Sequence, residues 1–420
     1  MLQQLLQHVS YLFIKNKSVR KLLKSTINPI KLILNDSRFT GILLLACTAI
    51  SLIMSNSVYG EWYRGIWIHD LHYGMPIQLP HSGLKWINDF LMAIFFLFAG
   101  MEIKRELLIG ELSSFKKAIL PFGAALGGMI VPGLIYSSFN ISTNFAHGWG
   151  IPTATDIAFS IGIASLFGKR VPASLKIFLM ALAIIDDLGA IVVIALFYGN
   201  QIKWLFILAG GFIYGLLWLG NYLKIKQGII QIILSLLLWY MIFNSGIEAS
   251  ISGVMIAFTI PVNSLPKLEN AIHKFVNFFI LPLFALANTA IMVPPDIINS
   301  LKDSVSIGIM AGLVIGKPVG IFIFSRAMIS LKVAKLPTNT NLKQLLGVGS
   351  LAGIGFTMSI FTTTLAFHEE LYRDIAKISI LGSLVLSMIL SLVYFLIIDK
   401  KITKPVFKKQ PSFSPELVMG

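Results

Sequence analysis

Two adjacent aspartates, Asp186 and Asp187, lie inside an uninterrupted apolar run from Phe178 to Phe197. The run is long enough to cross the hydrocarbon core of a bilayer, which takes about 20 residues. A carboxylate at the bilayer centre costs about 2.5–3.5 kcal/mol on insertion scales. Both side chains must therefore face a protein interior or a water-filled cavity, where a carboxylate can hold a cation or a proton.

The composition extends this interpretation to the whole chain. Of its 420 residues, 56% are hydrophobic and 13% are charged, whereas a soluble domain has about 25% charged residues. The apolar runs predict an all-α polytopic membrane protein with about twelve transmembrane helices, and a weak break near 244–248 leaves eleven or thirteen open. The predicted spans are 38–57, 86–107, 117–139, 148–168, 173–198, 204–223, 228–246, 247–262, 273–293, 305–331, 342–367 and 376–398.

The distribution of basic residues predicts the orientation. The net charge is +15, and most of the 34 Lys and Arg fall in alternate loops and in the terminal segments. Because cytoplasmic loops carry the excess of Lys and Arg, both termini are expected in the cytoplasm, and the basic balance indicates no nucleic-acid partner. We expect a basic segment at 1–37 that lies on anionic lipid, one transmembrane domain at 38–398, and a cytoplasmic tail at 399–420.

One predicted extracytoplasmic loop, 58–85, is rich in aromatic residues. Alternation around Trp62, Ile66 and Ile68 is compatible with an extended hairpin. An aromatic belt at the membrane interface fits the same pattern equally well.

Two further ionisable side chains, Asp156 and Lys317, lie near the centres of their spans. Together with the aspartate pair they place four charges at one depth, which predicts a single site. A buried ion pair between Asp156 and Lys317 alone is the simpler structural alternative.

Two spans carry residues that interrupt a helix. Pro152 removes a backbone donor in the fourth span, where Thr155 can supply a hydroxyl to freed backbone groups. Gly353 and Gly355 weaken the helix in the middle of the eleventh span. Each span is therefore predicted to be two half-helices joined by an extended segment, and the two are expected to cross at mid-membrane.

The interrupted spans occupy matching places in two halves of the chain, about 117–198 and 305–398. Such a pair is a sequence indicator of an inverted-repeat transporter and of its binding site. Half-helix ends carry partial charges of about half a unit. We expect Asp156 to compensate the positive ends and Lys317 the negative ends.

The neighbouring aspartates cannot share one direction, because consecutive side chains on an α-helix diverge by about 100°. One can line a cation cavity while the other faces a neighbouring helix, where Lys317 is the expected partner. A small hard cation and a proton would then compete for the same carboxylate oxygens. Such competition, with access from alternate sides, is sufficient for exchange.

At this point the sequence resembles a known family. From the first span to the twelfth it is similar to the NhaA-type sodium/proton antiporters, an inverted-repeat example. The motifs that carry the resemblance are FFLFAGMEIKRE (95–106), PTATDIAF (152–159), AIIDDLG (183–189), LFALAN (283–288), GKP (316–318) and GIGFT (353–357).

The resemblance implies electrogenic exchange of Na+ or Li+ for H+ in the bacterial cytoplasmic (inner) membrane, with a role in sodium and pH homeostasis. It implies a secondary transporter rather than an enzyme, with no cofactor. It makes Asp187 the primary cation ligand, with Asp186 joining in cation and proton binding and pairing with Lys317. It also implies a homodimer formed through the 58–85 loop.

A pH-responsive cytoplasmic funnel is a further expectation from the resemblance. The matching residues are Glu102, Arg105, Glu106, Glu269 and His273. A solvated charge cluster at the membrane surface is the alternative.

The chain departs from the family at the start of the eighth span. It reads SGIE (245–248), with Glu248 where histidine is common in the family. The activation pH therefore cannot be transferred.

Two other functions remain open from the residues alone. A cation-coupled transporter of another solute would need a second midplane site, and none is obvious. An intramembrane aspartyl enzyme would need two carboxylates about 3 Å apart on separate elements, which Asp156 and Asp187 could supply. The buried Lys317 and the interrupted helices favour transport.

Overall fold

A computed structural model describes residues 37–72, 78–199, 201–223, 228–294, 296–338 and 340–402. The basic N-terminal segment before Ser37 and the tail after Ile402 lie outside the described residues. Within them the chain is helical, and the only bridge between extended residues joins Asp70 to Ser82.

The helices follow one another along the chain. They are α1 (Ser37–Ser55), α2 (Gly60–Ile68), α3 (Gly83–Leu108), α4 (Phe115–Asn140), α5 (Ile157–Leu166), α6 (Ala173–Phe197), α7 (Trp204–Tyr222), α8 (Ile229–Ser245), α9 (Ile251–Thr259), α10 (Val262–Asn288), α11 (Ser304–Ser330), α12 (Leu342–Ala352), α13 (Phe356–Ala366) and α14 (Glu370–Ile402). A 3₁₀ segment, Ala146–Thr153, precedes α5.

The prediction of an all-α membrane protein is confirmed. Among the described residues, seven helices are long and apolar enough to span a bilayer, or up to nine if each bent pair counts as one span. The count of about twelve stays a prediction. Interruption of the fourth predicted span leaves α5 shorter than a full crossing, so length and composition alone do not count it.

The helix α6, which carries the aspartate pair, is central. In its most apolar window 67% of the residues are buried inside the protein, against 17% for the peripheral α7. The aspartates are therefore surrounded by protein rather than by lipid.

The backbones of α4 and α11 pack directly against each other where the two helices cross. A Cβ on Gly127 would meet the Gly320 carbonyl oxygen, and a Cβ on Gly320 would meet that of Gly127. Small residues at such a crossing allow close packing of membrane helices. Because Gly320 lies one turn after Lys317, this contact fixes the position of the lysine.

The 58–85 loop differs from the extended hairpin that alternation suggested. Residues 60–68 form the helix α2, which turns by 116° from α1. Trp62 and Ile66 are four residues apart and both are exposed, so the spacing that resembled strand alternation belongs to one helix face. The bridge from Asp70 to Ser82 and the hydrogen bond from the Leu71 N–H to the His81 carbonyl oxygen join the two arms of the loop beyond α2.

Candidate intramembrane carboxylate site

The two interrupted spans meet where each loses its helical backbone. Ala154 is extended (φ −84°, ψ 152°) between the 3₁₀ segment and α5, and α12 and α13 are bent by 50° at their break. The Asp156 N–H donates to the Ile354 carbonyl oxygen at 2.8 Å. One interrupted span thus satisfies a backbone group of the other, as buried non-helical backbone requires.

Gly353 and Gly355 permit this close approach. A Cβ on Gly353 would contact the Leu313 carbonyl oxygen, and a Cβ on Gly355 would lie 2.7 Å from the Ala154 carbonyl oxygen. Neither position has room for a side chain.

Asp156 caps two helices at once. Its Oδ1 accepts from the Phe159 N–H of α5 at 3.0 Å. Its Oδ2 accepts from the Thr357 N–H of α13 at 3.0 Å and from the Thr357 hydroxyl at 2.5 Å. A carboxylate at two helix N-termini offsets two positive dipole ends.

Lys317 and Asp186 form a fully buried ion pair. The lysine Nζ lies 3.0 Å from Asp186 Oδ2, and both side chains are 0% exposed. The same Nζ donates to the Thr153 carbonyl oxygen at 2.5 Å. Thr155 Oγ1 lies 2.5 Å from Asp186 Oδ2 and 3.0 Å from the Ala352 carbonyl oxygen, so it bridges the pair to the end of α12.

Asp187 lies apart from this pair. It is 3% exposed, and its Oδ1 has no hydrogen-bond partner among the described residues; the same holds for Asp186 Oδ1. Asp187 lines a cavity of about 220 Å³ together with Thr155, Asp156 and Thr357. The lysine-paired aspartate and the cavity-facing aspartate are therefore Asp186 and Asp187 respectively.

From the carboxylates the cavity extends along α3 toward the C-terminal end of that helix. Phe95, Phe98 and Glu102 line it from α3, and His273 and Asn277 line it from α10. Of the five residues proposed to respond to pH, Glu102 and His273 thus lie on the cavity wall.

The other three form an ion cluster beside the cavity. Arg105 Nη1 contacts Glu269 Oε2 at 2.5 Å, and Arg105 Nη2 contacts Glu106 Oε1 at 3.0 Å and Glu102 Oε1 at 4.0 Å. The guanidinium joins α3 to α10 next to Glu102, which lines the cavity.

Comparison with known proteins identifies the family. The family described as Na+/H+ antiporter 1 matches residues 31–395. The chain is similar to the Na+/H+ antiporter NhaA 2 of Flavobacterium johnsoniae, with 47% identity over 83% of this chain and 87% of that protein. It is 42% identical to NhaA 2 of Clostridium beijerinckii over 93% of this chain and 99% of the relative. It is 45% identical to NhaA of Vibrio cholerae over 81% and 90%.

The chain belongs to the NhaA family of Na+/H+ antiporters. Membership identifies a multi-pass membrane transporter of sodium ions and protons rather than a catalytic enzyme. Among the described residues no group of three or more His, Cys, Asp and Glu is arranged to hold a metal ion. Sodium is the cargo of this family.

Three residues with a place in this structure were not predicted as site residues. Thr357 donates to Asp156 from its hydroxyl and its N–H. It belongs to the GIGFT motif (353–357), of which only the two glycines were predicted as site residues. Lys104 donates to the carbonyl oxygens of Phe258 and Ile260, 2.7 and 2.5 Å away, at the end of α9. Asn277 lines the cavity. The available signal for Asn277 was a polar residue four positions after His273, on the same helix face.

Glu248 lies outside this antiporter cavity. It is half-buried between α8 and α9, and its Oε1 has no hydrogen-bond partner in the described part of the chain.

Proposed function

We propose that this antiporter exchanges Na+ or Li+ for H+ electrogenically, as a secondary transporter, through competition at Asp187. The observation that supports it is a buried carboxylate on the wall of a cavity, with an oxygen that no group among the described residues satisfies. Buried polar atoms are rarely left without a partner, and one so placed is ready for a cation or a proton.

The neighbouring atoms suit a small hard cation. Such ions are held by oxygen ligands, and the cavity near Asp187 offers the hydroxyls of Thr155 and Thr357 and the carboxylate of Asp156. Asp186 Oδ1 is also unsatisfied among the described residues, so Asp186 joins the coordination. A proton on Asp187 removes the charge that attracts the cation, so the two cargoes exclude each other.

The need to compensate the charge of Asp187 limits uncoupled movement of the site across the membrane. An ionised Asp187 without a cation would be a buried charge without compensation, which costs several kcal/mol. The empty ionised site is therefore not carried across the membrane, in contrast to the protonated or cation-loaded site. A cation that binds Asp186 would draw this carboxylate away from Lys317. The positive charge of the lysine would then change its position, which supports exchange that moves net charge.

We propose that the moving body contains the inverted repeats at about 117–198 and 305–398. The close contact between α4 and α11 and the crossing of the broken spans join these segments. Motion of this body against α3 and α10 would expose the carboxylates to alternate sides. By the distribution of basic residues, both termini and the Glu102 end of the cavity face the cytoplasm, with the protein in the inner membrane.

The charge cluster around Arg105 is proposed to respond to pH. Protonation of Glu102 or Glu269 would weaken the attraction of each to Arg105. Because Arg105 joins α3 to α10, such a change would alter the entrance to the cation site.

The experiment uses purified protein in proteoliposomes, with Na+, Li+ or K+ added across a range of pH. We expect Na+ and Li+ to drive proton movement in the wild type, with a rate that depends on membrane potential. Asp187→Asn should abolish it while folding and insertion are retained. The control is Asp303→Asn, which makes the same change at an exposed carboxylate. Normal exchange by the Asp187 variant would falsify the assignment.

A further inference from the structure

Two buried serines, Ser160 and Ser359, occupy matching positions in the two interrupted spans. Ser160 lies four residues after Asp156, the N-cap of α5, and donates its N–H to the carbonyl oxygen of that residue at 2.9 Å. Ser359 lies four residues after Gly355, the N-cap of α13, and makes the same bond at 2.7 Å. Both serines are 0% exposed. The half-helices that follow the two breaks therefore carry the same residue at the same distance from the break.

The hydroxyls of these serines bond crosswise between the spans. Ser160 Oγ donates to the Leu351 carbonyl oxygen at 2.9 Å, in the last turn of α12. Ser359 Oγ donates to the Ile151 carbonyl oxygen at 2.8 Å, near the end of the 3₁₀ segment. The half after each break packs beside the half before the other break. One serine bond therefore lies on each side of the crossing.

A hydroxyl inside a helix has a nearer partner available. Serine and threonine side chains can bond to the carbonyl oxygen four residues earlier in their own helix. Thr362 and Thr363 of α13 do so, at 2.9 Å and 2.8 Å. Ser160 and Ser359 instead donate to carbonyl groups near the ends of the other span, where a helix leaves its last carbonyls without partners of its own. Their bonds thus serve the crossing rather than the helix that carries them.

The bond from Ser160 lies beside the contacts of Asp186. Leu351, which accepts from this serine, precedes Ala352, whose carbonyl oxygen lies 3.0 Å from Thr155 Oγ1. The same threonine oxygen lies 2.5 Å from Asp186 Oδ2. A shift of the end of α12 would therefore disturb the hydroxyl that Asp186 shares with this helix end.

The bond from Ser359 lies beside the contact of Lys317. Ile151, which accepts from this serine, is two residues before Thr153, whose carbonyl oxygen accepts from Lys317 Nζ at 2.5 Å. Both carbonyl groups belong to the 3₁₀ segment, so the serine holds the segment that receives the lysine. Together the two serine bonds support both partners of the buried ion pair.

We propose that Ser160 and Ser359 are positioning residues that join the two interrupted spans into one rigid unit. The inference rests on the proposed function, in which the inverted repeats form the moving body, and adds the bonds that keep the cation site intact while that body moves. Neither serine lines the cavity, so both act through the residues that they hold. Loss of either bond lets one broken end shift, and the folded protein then binds Na+ less tightly.

The test measures the apparent KM for Na+ and the maximal exchange rate in proteoliposomes for Ser160→Ala, Ser359→Ala and the double variant. We expect each single change to raise KM about twofold to fivefold, as for one net hydrogen bond, with the maximal rate little changed. The double variant should raise KM by more than the product of the single effects, because either bond alone still restrains the crossing. Unchanged KM values in the single variants, or a simple product in the double variant, would overturn the inference.

Two further variants separate positioning from stability. Ser383→Ala is the matched control, since Ser383 is equally buried but donates to the Ser379 carbonyl oxygen of its own helix at 2.7 Å. Its KM should equal that of the wild type. Ser359→Cys keeps a weak donor and should give a KM between those of the wild type and Ser359→Ala. A KM above that of the alanine variant would contradict a role for the donor.

The melting temperature of each detergent-solubilised variant completes the test. A lower melting temperature with an unchanged KM in the Ser160 and Ser359 variants would show a merely structural role and would reject the inference. Wild-type vesicles report on the proposed function itself. Absence of any Na+-driven proton movement there would reject that function, whereas normal wild-type exchange with unaffected serine variants rejects only this inference.

Discussion

At the scale of single residues, two adjacent aspartates have different environments because the helix turns them apart. Asp186 is paired with Lys317 and Thr155, whereas Asp187 keeps an oxygen free at the cavity. Removing a partner from a buried ion pair costs about 3–5 kcal/mol, since it leaves a buried charge uncompensated. Neutralising an unpaired buried carboxylate has no such cost.

Lys317→Ala is therefore expected to lower thermal stability more than Asp187→Asn. The lysine variant leaves Asp186 without its counter-ion and the Thr153 carbonyl without the lysine donor, and we expect a loss of about 3–5 kcal/mol. The measurement is the melting temperature of each detergent-solubilised variant. Equal melting of the two would contradict the pairing.

A double variant gives the control for this prediction. Asp186→Asn added to Lys317→Ala removes the orphaned charge, so it should recover part of the lost stability. An additive loss would mean that the two side chains act independently.

At the scale of elements, the site depends on two interrupted helices whose backbones nearly touch. Gly355→Ala would place a methyl group 2.7 Å from the Ala154 carbonyl oxygen. We expect a loss of stability of about 1–3 kcal/mol from overpacking, together with reduced exchange. Gly211→Ala is the matched control, since a Cβ there meets open space, and it should be neutral or slightly stabilising. Wild-type stability of the Gly355 variant would argue against a close crossing.

The sequence allowed prediction of the elements that a strong local rule determines. Pro152 and the glycines of 353–355 locate the breaks, and the 100° turn per residue separates Asp186 from Asp187. The place of Asn277 on the cavity wall could not be predicted, because it depends on how α10 packs against its neighbours. Likewise the alternation around Trp62 indicated a hairpin or an aromatic belt, and neither interpretation predicted the helix that residues 60–68 form.

At the scale of the whole molecule, α2 presents an apolar face outside the helix bundle. Trp62 is 65% exposed and Ile66, one turn further along α2, is 48% exposed. This face is the surface through which we propose that two copies associate.

Trp62→Glu is expected to lower the dimer fraction by placing a charge in that apolar contact, while each monomer retains exchange. The measurement is the mass of the detergent-solubilised protein by light scattering, combined with the proteoliposome assay. Ser142→Glu adds the same charge at an exposed position after α4, outside the 58–85 loop, and should leave the dimer intact. An unchanged dimer in the Trp62 variant would place the interface elsewhere.

The central claim is that a sodium ion and a proton occupy the same carboxylate in turn. Calorimetric titration of the purified antiporter with Na+, in buffers of different ionisation enthalpy, counts the protons released as the cation binds. We predict release of protons by the wild type and none by Asp187→Asn. Sodium binding that releases no protons at any pH would contradict the account.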